Sequence, residues 1–529
     1  MHDSSRSLIK SGWTLGFFPV MALVWTWGLL VSTQAEAKPR LEIETPLPGA
    51  WLSDQRVWLE TRAGDLGCES PAQAPVLRTV VDGVAQPLLW KKLTRTQGRD
   101  ERDAWGAWVQ LPAASNLTPA EHWIHLTATC SGGKRGYTDS VRVISGAWIG
   151  SGGALERALS VALTYMADHP IEDSGWDSET GLVLDALWDL GSFASQVTPG
   201  RGAPLLDYVK AYHTYWAYRG EPDFEGVEQL TPALSAWKLE RDSGLTWGRG
   251  AWVKALEFIR FEPRNSLGTL SHRQGKVSDH FRSEKIWTDS LVMYPSFALQ
   301  YALDEELFGF SLEQPVLFAE KLQDQDSGLF SHAYRLKSGK RFPSSPEYWG
   351  RANGFALWGG VEAWSAARPN SSERMRLSQM LKEQLRGLEK YQLEHGLWDQ
   401  VMNLPRGTFA ETSSALWVAA GLLRASRIEM LTGVDRQRAL QVAQRAWAGA
   451  QAQWVPEWDR QAIAEARWPT SAVQVLRSQL FGAVESSPPV AAWKYKWLKP
   501  KVNHPLALVG YIRASMELAR DKGIINESP

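Results

Sequence analysis

Ten consecutive residues, Ser345-Pro346-Glu347-Tyr348-Trp349-Gly350-Arg351-Ala352-Asn353-Gly354, set a carboxylate, a guanidinium, an amide and two aromatic rings around two glycines, just before an apolar helical run. Arginine grips a carboxylate bidentately and a tryptophan face stacks on a sugar ring, so this inventory suits a pocket for a carboxylate-bearing sugar. An ordinary ion pair at a helix start would use the same residue types.

Three other segments carry groups suited to proton transfer or sugar binding. In Lys285-Ile286-Trp287-Thr288-Asp289-Ser290-Leu291-Val292-Met293-Tyr294-Pro295, Asp289 stands at the first turn of an apolar helix. Desolvation there raises a carboxyl pKa and the helix N-terminus lowers it, which is how an acid comes to give and retake a proton near neutral pH; a plain N-terminal cap is the alternative. His332, in Leu329-Phe330-Ser331-His332-Ala333-Tyr334, follows a loop and is off any apolar stripe, so a polar role is expected, and His272 is its counterpart one repeat earlier. In Gly396-Leu397-Trp398-Asp399-Gln400-Val401, Trp398 is a candidate stacking platform, and Glu411, at the next helix start, is either a second carboxyl or favourable first-turn charge.

Other chemistries lack their residues. There is no Gly-x-Ser-x-Gly elbow, no His-Glu-x-x-His and no phosphate loop. Neither a metal site nor a cofactor is indicated. With 57 basic and 58 acidic residues and no basic run, nothing points to a nucleic-acid partner.

Two periods divide the elements that must position these groups. From Leu41 to about Ile149, short β-rich segments such as Val76–Val81 and His122–Ala128 alternate in polarity, predicting an Ig-like β-sandwich over 38–149. Beyond Gly150 the period is helical almost to the C-terminus, with ten apolar-striped segments and weaker ones bringing the count to about a dozen. Loops of the form Asp326-Ser327-Gly328-Leu329-Phe330 and Glu394-His395-Gly396-Leu397-Trp398 recur at roughly the spacing of a helix pair. The predicted architecture is therefore mainly α, an (α/α)6 barrel over 150–525 behind a small β-sandwich, with an open superhelix as the alternative.

The N-terminus reads as an export signal: Arg6 and Lys10, an apolar stretch over 13–30, then Ala35-Glu36-Ala37. Cleavage near residue 37 predicts a periplasmic or secreted protein, and retention of 13–30 as a membrane anchor is the alternative. Cys68 and Cys130, the two cysteines, would close a loop worth on the order of 4 kcal/mol if paired; two buried thiols are the other reading.

Taken together, Ile286–Met293, Ser345–Gly354, Gly396–Val401 and Glu411-Thr412-Ser413-Ser414 resemble the unsaturated glucuronyl and rhamnogalacturonyl hydrolases, over roughly Gly175 to Ala425. The resemblance implies an (α/α)6 barrel acting on acidic oligosaccharides left by polysaccharide lyases. It places Asp289 as the acid that protonates C4 of an enol ether while water adds at C5, and His332 as an assisting group. Trp349, Arg351 and Trp398 would bind the sugar and its carboxylate, with Trp287, Glu347, Asn353 and His272 as further substrate contacts. Where the family places a second Asp followed by His, the best counterpart here is Glu228-Gln229, and displacement by one methylene can cost roughly 10²-fold in rate. An inverting glycosidase or lyase pairing Asp289 with Glu228 or Glu347, and a non-catalytic carbohydrate-binding scaffold, are the competing classes. Oligomeric state is not legible.

Overall fold

The computed structural model describes residues 41–46, 50–52, 56–63, 75–93, 103–112, 120–129, 136–145, 153–272, 285–301, 304–344, 346–404, 407–458, 475–481, 483–484, 495 and 498–521. Residues 1–37, Cys68 and Cys130 fall outside these, and so do the expected signal and disulfide. Among the described residues, no helix is long and apolar enough to cross a membrane.

Among the described residues nine strands come first: β1 (Leu41–Thr45), β2 (Trp51–Leu52), β3 (Arg56–Ala63), β4 (Val76–Val81), β5 (Val84–Gln86), β6 (Lys91–Leu93), β7 (Asp103–Gln110), β8 (Ala120–Thr129) and β9 (Gly136–Ser145). They form two sheets, ordered β1-β3-β7-β6 and β2-β9-β8-β4-β5. The period of two is plain in β8, where His122, Ile124 and Leu126 are buried and Glu121, Trp123 and His125 exposed. Val57, Leu59 and Val109 of the first sheet meet Val81, Ile124, Val141 and Val143 of the second in one core, which makes the pair a sandwich.

Twelve α-helices are described: α1 (Gly153–Asp168), α2 (Ser178–Val197), α3 (Ala203–Arg219), α4 (Thr231–Ser243), α5 (Arg249–Phe261), α6 (Tyr294–Tyr301), α7 (Glu305–Leu322), α8 (Gly350–Ala366), α9 (Ser372–Tyr391), α10 (Thr412–Arg427), α11 (Gly433–Gln451) and α12 (Pro505–Asp521). Helices α2, α4, α6, α8, α10 and α12 pack in that order, and α12 returns against α2, so the inner ring closes. Each inner helix also packs on an outer one: α3, α5, α7, α9 and α11 follow their partners, and α1 backs α12. Closure rules out the open superhelix and leaves no unpaired apolar flank.

Short strands lie at the end of the ring where the inner helices begin: β10 (Lys285–Trp287), β11 (Ala333–Arg335), β12 (Lys340–Phe342), β13 (Trp398–Asp399) and β14 (Ala410–Glu411). Two differences from expectation stand out. The helix expected from Asp289 to Leu303 is a 3₁₀ turn, Thr288–Val292, followed by the short α6. The helical period also does not persist after α11, where β15 (Trp454–Trp458) pairs antiparallel with β16 (Val475–Leu480).

Charge joins inner helices part-way along their length. Lys238 on α4 lies 2.6 Å from both Asp185 and Asp189 of α2, and Arg513 of α12 lies 2.6 Å from Asp185. Burial disfavours the Lys238 ammonium, but the two carboxylates outweigh it and raise its pKa. Three inner helices are thereby joined through groups that could not be buried singly.

The recurring Gly loops have a steric cause. Gly396 has φ +92°, and a Cβ there would overlap the carbonyl oxygen of Arg445 on α11; Gly328, at φ +74°, meets the Glu383 carbonyl of α9 in the same way. A left-handed backbone and a close approach to the next outer helix both require glycine. Gly396→Ala is expected to destabilise the protein by at least about 2 kcal/mol. A denaturant midpoint unchanged from wild type would show that the loop can move away at no cost.

Candidate active site

The carboxyl and imidazole groups singled out in the sequence are brought together by a run of backbone hydrogen bonds. Val227 N–H donates to the His272 carbonyl (3.4 Å), and His272 N–H to that of Lys285 (3.0 Å). Strand β10 then pairs with β11, Trp287 opposite Ala333, and Thr288 N–H donates to the His332 carbonyl (2.9 Å) while its hydroxyl donates to that of Ser331 (2.7 Å). Segments far apart in the chain thus present Glu228, His272, Trp287, Asp289 and His332 side by side.

Two carboxylate–imidazole pairs result. His332 Nε2 lies 3.1 Å from Asp289 Oδ2, and His272 Nε2 lies 3.1 Å from Glu228 Oε1. His272 Nδ1 is also 2.8 Å from Ser290 Oγ, and its ring stacks on Trp287 with centroids 3.9 Å apart. Both imidazoles are buried, whereas the carboxylates keep access to solvent, 18% exposed for Asp289 and 33% for Glu228. Trp287 is partly exposed beside them, and Glu347 is partly exposed as well.

Asp289 is tuned differently from the sequence-based expectation. It sits in the 3₁₀ turn rather than at the start of a long helix. Burial pushes its carboxyl pKa up, but the neighbouring His332, then His272 and Arg351, together hold it below the usual carboxylate range. In the free protein this favours the carboxylate, with the His332 imidazole 3.1 Å away.

The remaining expected contacts form a buried layer. Trp349 is 1% exposed, stacked on His332 (centroids 5.5 Å, 15° between planes) and covered by Tyr495 at 4.6 Å. Arg351 is buried, its guanidinium 3.8 Å from Glu411, 3.5 Å from Ser413 Oγ and 5.7 Å from the Trp349 ring centroid. Glu411 caps α10, accepting from Ser414 N–H (3.1 Å) and from the Ser413 and Ser414 hydroxyls, so it balances Arg351 rather than serving as a second open carboxyl.

Several expected sugar contacts are corrected: Trp349, enclosed between His332 and Tyr495, has no face open to a sugar, and Arg351 and His272 are buried with their polar groups turned toward Glu411 and Glu228. Trp398 is wholly buried and its indole N–H donates to the Leu388 carbonyl (2.9 Å), so no ring face is open to a sugar. Asn353 is also buried: its Oδ1 accepts from Phe330 N–H (2.7 Å) and its Nδ2 donates to the Phe330 and Trp349 carbonyls. It clamps the loop that carries His332 and has no amide group left facing outward. Sequence reasoning missed Tyr495, whose hydroxyl lies 2.6 Å from His332 Nδ1, because nothing local marks it. Among the described residues there is no group of three or more His, Cys, Asp and Glu arranged to hold a metal ion.

The fold has known counterparts. The family model described as Glycosyl Hydrolase Family 88 matches residues 173–460, more than half of the chain. The chain belongs to that family. Over 169 residues this family 88 chain is 28% identical to the unsaturated rhamnogalacturonyl hydrolase YesR of Bacillus subtilis (strain 168), a match covering 31% of this chain and 48% of that protein. The chain spans about half the length of the curated relatives it matches. The solved structure of a glycoside hydrolase from family 105 of C. acetobutylicum ATCC 824 superposes with a TM-score of 0.56 at 18% identity, covering 68% of this chain and 99% of that one. An unsaturated glucuronyl hydrolase from Bacillus sp. GL1, responsible for the degradation of glycosaminoglycan, gives 0.52 at 15% identity, covering 70% and 96%. These likenesses carry the six-hairpin fold of family 88.

Glu411 offers a direct test of the buried layer. Glu411→Gln keeps the shape but leaves Arg351 without its balancing charge, and a loss of about 3 kcal/mol is expected in urea unfolding. A loss under about 0.5 kcal/mol would mean that Arg351 does not depend on this carboxylate.

Proposed function

We propose that the protein is a hydrolase that removes a terminal 4,5-unsaturated uronic acid from oligosaccharides produced by polysaccharide lyases. The observation that carries this reading is the Asp289–His332 pair, an accessible carboxylate backed by a buried imidazole, next to the partly exposed Trp287. Membership of family 88 supports it. Export from the cytoplasm, on the N-terminal segment and the two cysteines, belongs to the same proposal.

The chemistry follows from an enol ether's polarity. Protonation at C4 leaves an oxocarbenium centre at C5, stabilised by the ring oxygen. Water adds there and gives up a proton. The resulting C5 hemiketal opens to a C5 ketone, which turns C1 into a hemiacetal, and collapse of that hemiacetal to the aldehyde breaks the C1–O bond and releases the neighbouring sugar as its alcohol. Asp289 would give the first proton and take back the second, so the group ends as it began. A carboxyl held low in the free protein needs its proton raised in energy at the right moment. The substrate's own carboxylate does this, because a like charge nearby raises a carboxyl pKa, while His332 can supply the proton through the 3.1 Å contact. Trp287 would pack on the sugar ring, and Arg351, though buried, adds positive potential at Asp289.

Glu228 supports the departure from the family pattern. Its longer side chain reaches His272, which is remote in sequence, where the family has His next to Asp. It would orient the attacking water at the second carboxylate–imidazole pair.

Ultraviolet absorbance tests the reading, because the conjugated double bond is consumed. Incubation with lyase-generated oligosaccharides is expected to erase the band. Asp289→Asn is expected to lower kcat at least about 10²-fold and Glu228→Gln about 10-fold or more. Persistence of the band over a broad panel rejects the proposal, and new reducing ends with the band intact would favour an ordinary inverting glycosidase.

A further inference from the structure

His332 has a polar group beside each ring nitrogen. Nε2 faces Asp289 at 3.1 Å and Nδ1 faces the Tyr495 hydroxyl at 2.6 Å. Tyr495 is fully buried, lies outside the residues matched by the family model, and is 163 positions from His332 in the chain. Its ring packs on Trp349 at 4.6 Å and on His332 at 5.9 Å, within a small apolar cluster that includes Ala352 and Val401.

We infer that Tyr495 is a positioning residue of this site, holding His332 so that its Nε2 carries a proton toward Asp289 in both charge states of the imidazole. The inference rests on the proposed function and extends it to a residue outside the family pattern. A hydroxyl is the group that can do this, since it both donates and accepts. With neutral His332, the Tyr495 O–H donates to Nδ1, leaving the proton on Nε2, where it donates to the Asp289 carboxylate. With protonated His332, Nδ1–H donates to the Tyr495 oxygen and Nε2–H again to Asp289. The aromatic neighbours supply no comparable partner: Trp349 stacks on the imidazole at 5.5 Å, and the Trp287 ring is 6.3 Å away at 63°. Among the described residues, the other charged or titratable groups facing this pair are Arg351 from α8, which lies against Glu411, and His272, which is paired with Glu228.

Tyr495→Phe in the full chain removes one oxygen and keeps the ring. The protonated imidazole then has an unpaired, buried Nδ1–H, which disfavours it. The expected results on lyase-generated oligosaccharides are a kcat lowered about 10-fold or more, KM within about 2-fold, and the alkaline limb of kcat/KM displaced about one unit to lower pH. A purely structural role would lower activity without moving that limb. Two measurements need no turnover. Nitrogen-15 shifts of His332 in the wild type should report the Nε2–H tautomer when the ring is neutral, and its titration midpoint should fall in Tyr495→Phe by about the same one unit. An Nδ1–H tautomer in the wild type, or a midpoint and limb that both stay in place, overturns the inference. Wild-type protein that shows the Nε2–H tautomer and the shifted midpoint but leaves the ultraviolet band intact would sustain the role of Tyr495 and sink the proposed activity instead.

Discussion

The site depends on a short stretch of main-chain pairing. Trp287 opposite Ala333, with Thr288 held to Ser331 and His332, fixes two loops against each other through the backbone, so the Asp289–His332 contact does not rely on two freely rotating side chains finding one another. The Val227–His272–Lys285 hydrogen bonds extend that frame to the second carboxylate. Pre-organisation of this kind matters for proton transfer, where small displacements are costly in rate.

Around that frame the protein divides labour between an accessible layer and a buried one. Glu228, Trp287 and Asp289 reach solvent, while His272, His332, Trp349, Arg351, Glu411 and Tyr495 lie behind them. The hidden groups set tautomer, orientation and potential. Burying so many polar groups is tolerable because they answer one another: Arg351 has Glu411, His332 has Asp289 and Tyr495, and Asn353 has the backbone of Phe330 and Trp349. Removal of one member leaves another unsatisfied, which makes the layer cooperative.

Much of this was legible from residues alone. Apolar stripes marked ten of the twelve helices, and the alternation in His122–Ala128 marked a strand inside β8. Helix α4 went unmarked because its buried side is rich in small residues, with Leu234 and Leu239 flanking the charged Lys238; α12 went unmarked although it carries an apolar stripe of Leu508, Val509, Tyr511 and Ile512. Asp289 and His332 were singled out because their sequence neighbours are distinctive, and the structure sets them side by side. Trp398 and Asn353 misled because residue type does not reveal which way a side chain turns, and both turn into the core. Tyr495 could not be found at all, since only the three-dimensional path of the chain brings it to His332.

The closure of the inner ring has a bearing on biosynthesis. Helix α12 packs against α1, α2 and α10, so the last hairpin is made from the first and last helical segments of the barrel. A growing chain emerging from the ribosome would hold a horseshoe with two bare greasy flanks until α12 is delivered. Over that interval, shielding by a chaperone or transient self-association competes with native assembly. Loss of a few C-terminal turns would cost the whole toroid its keystone, not merely a frayed end.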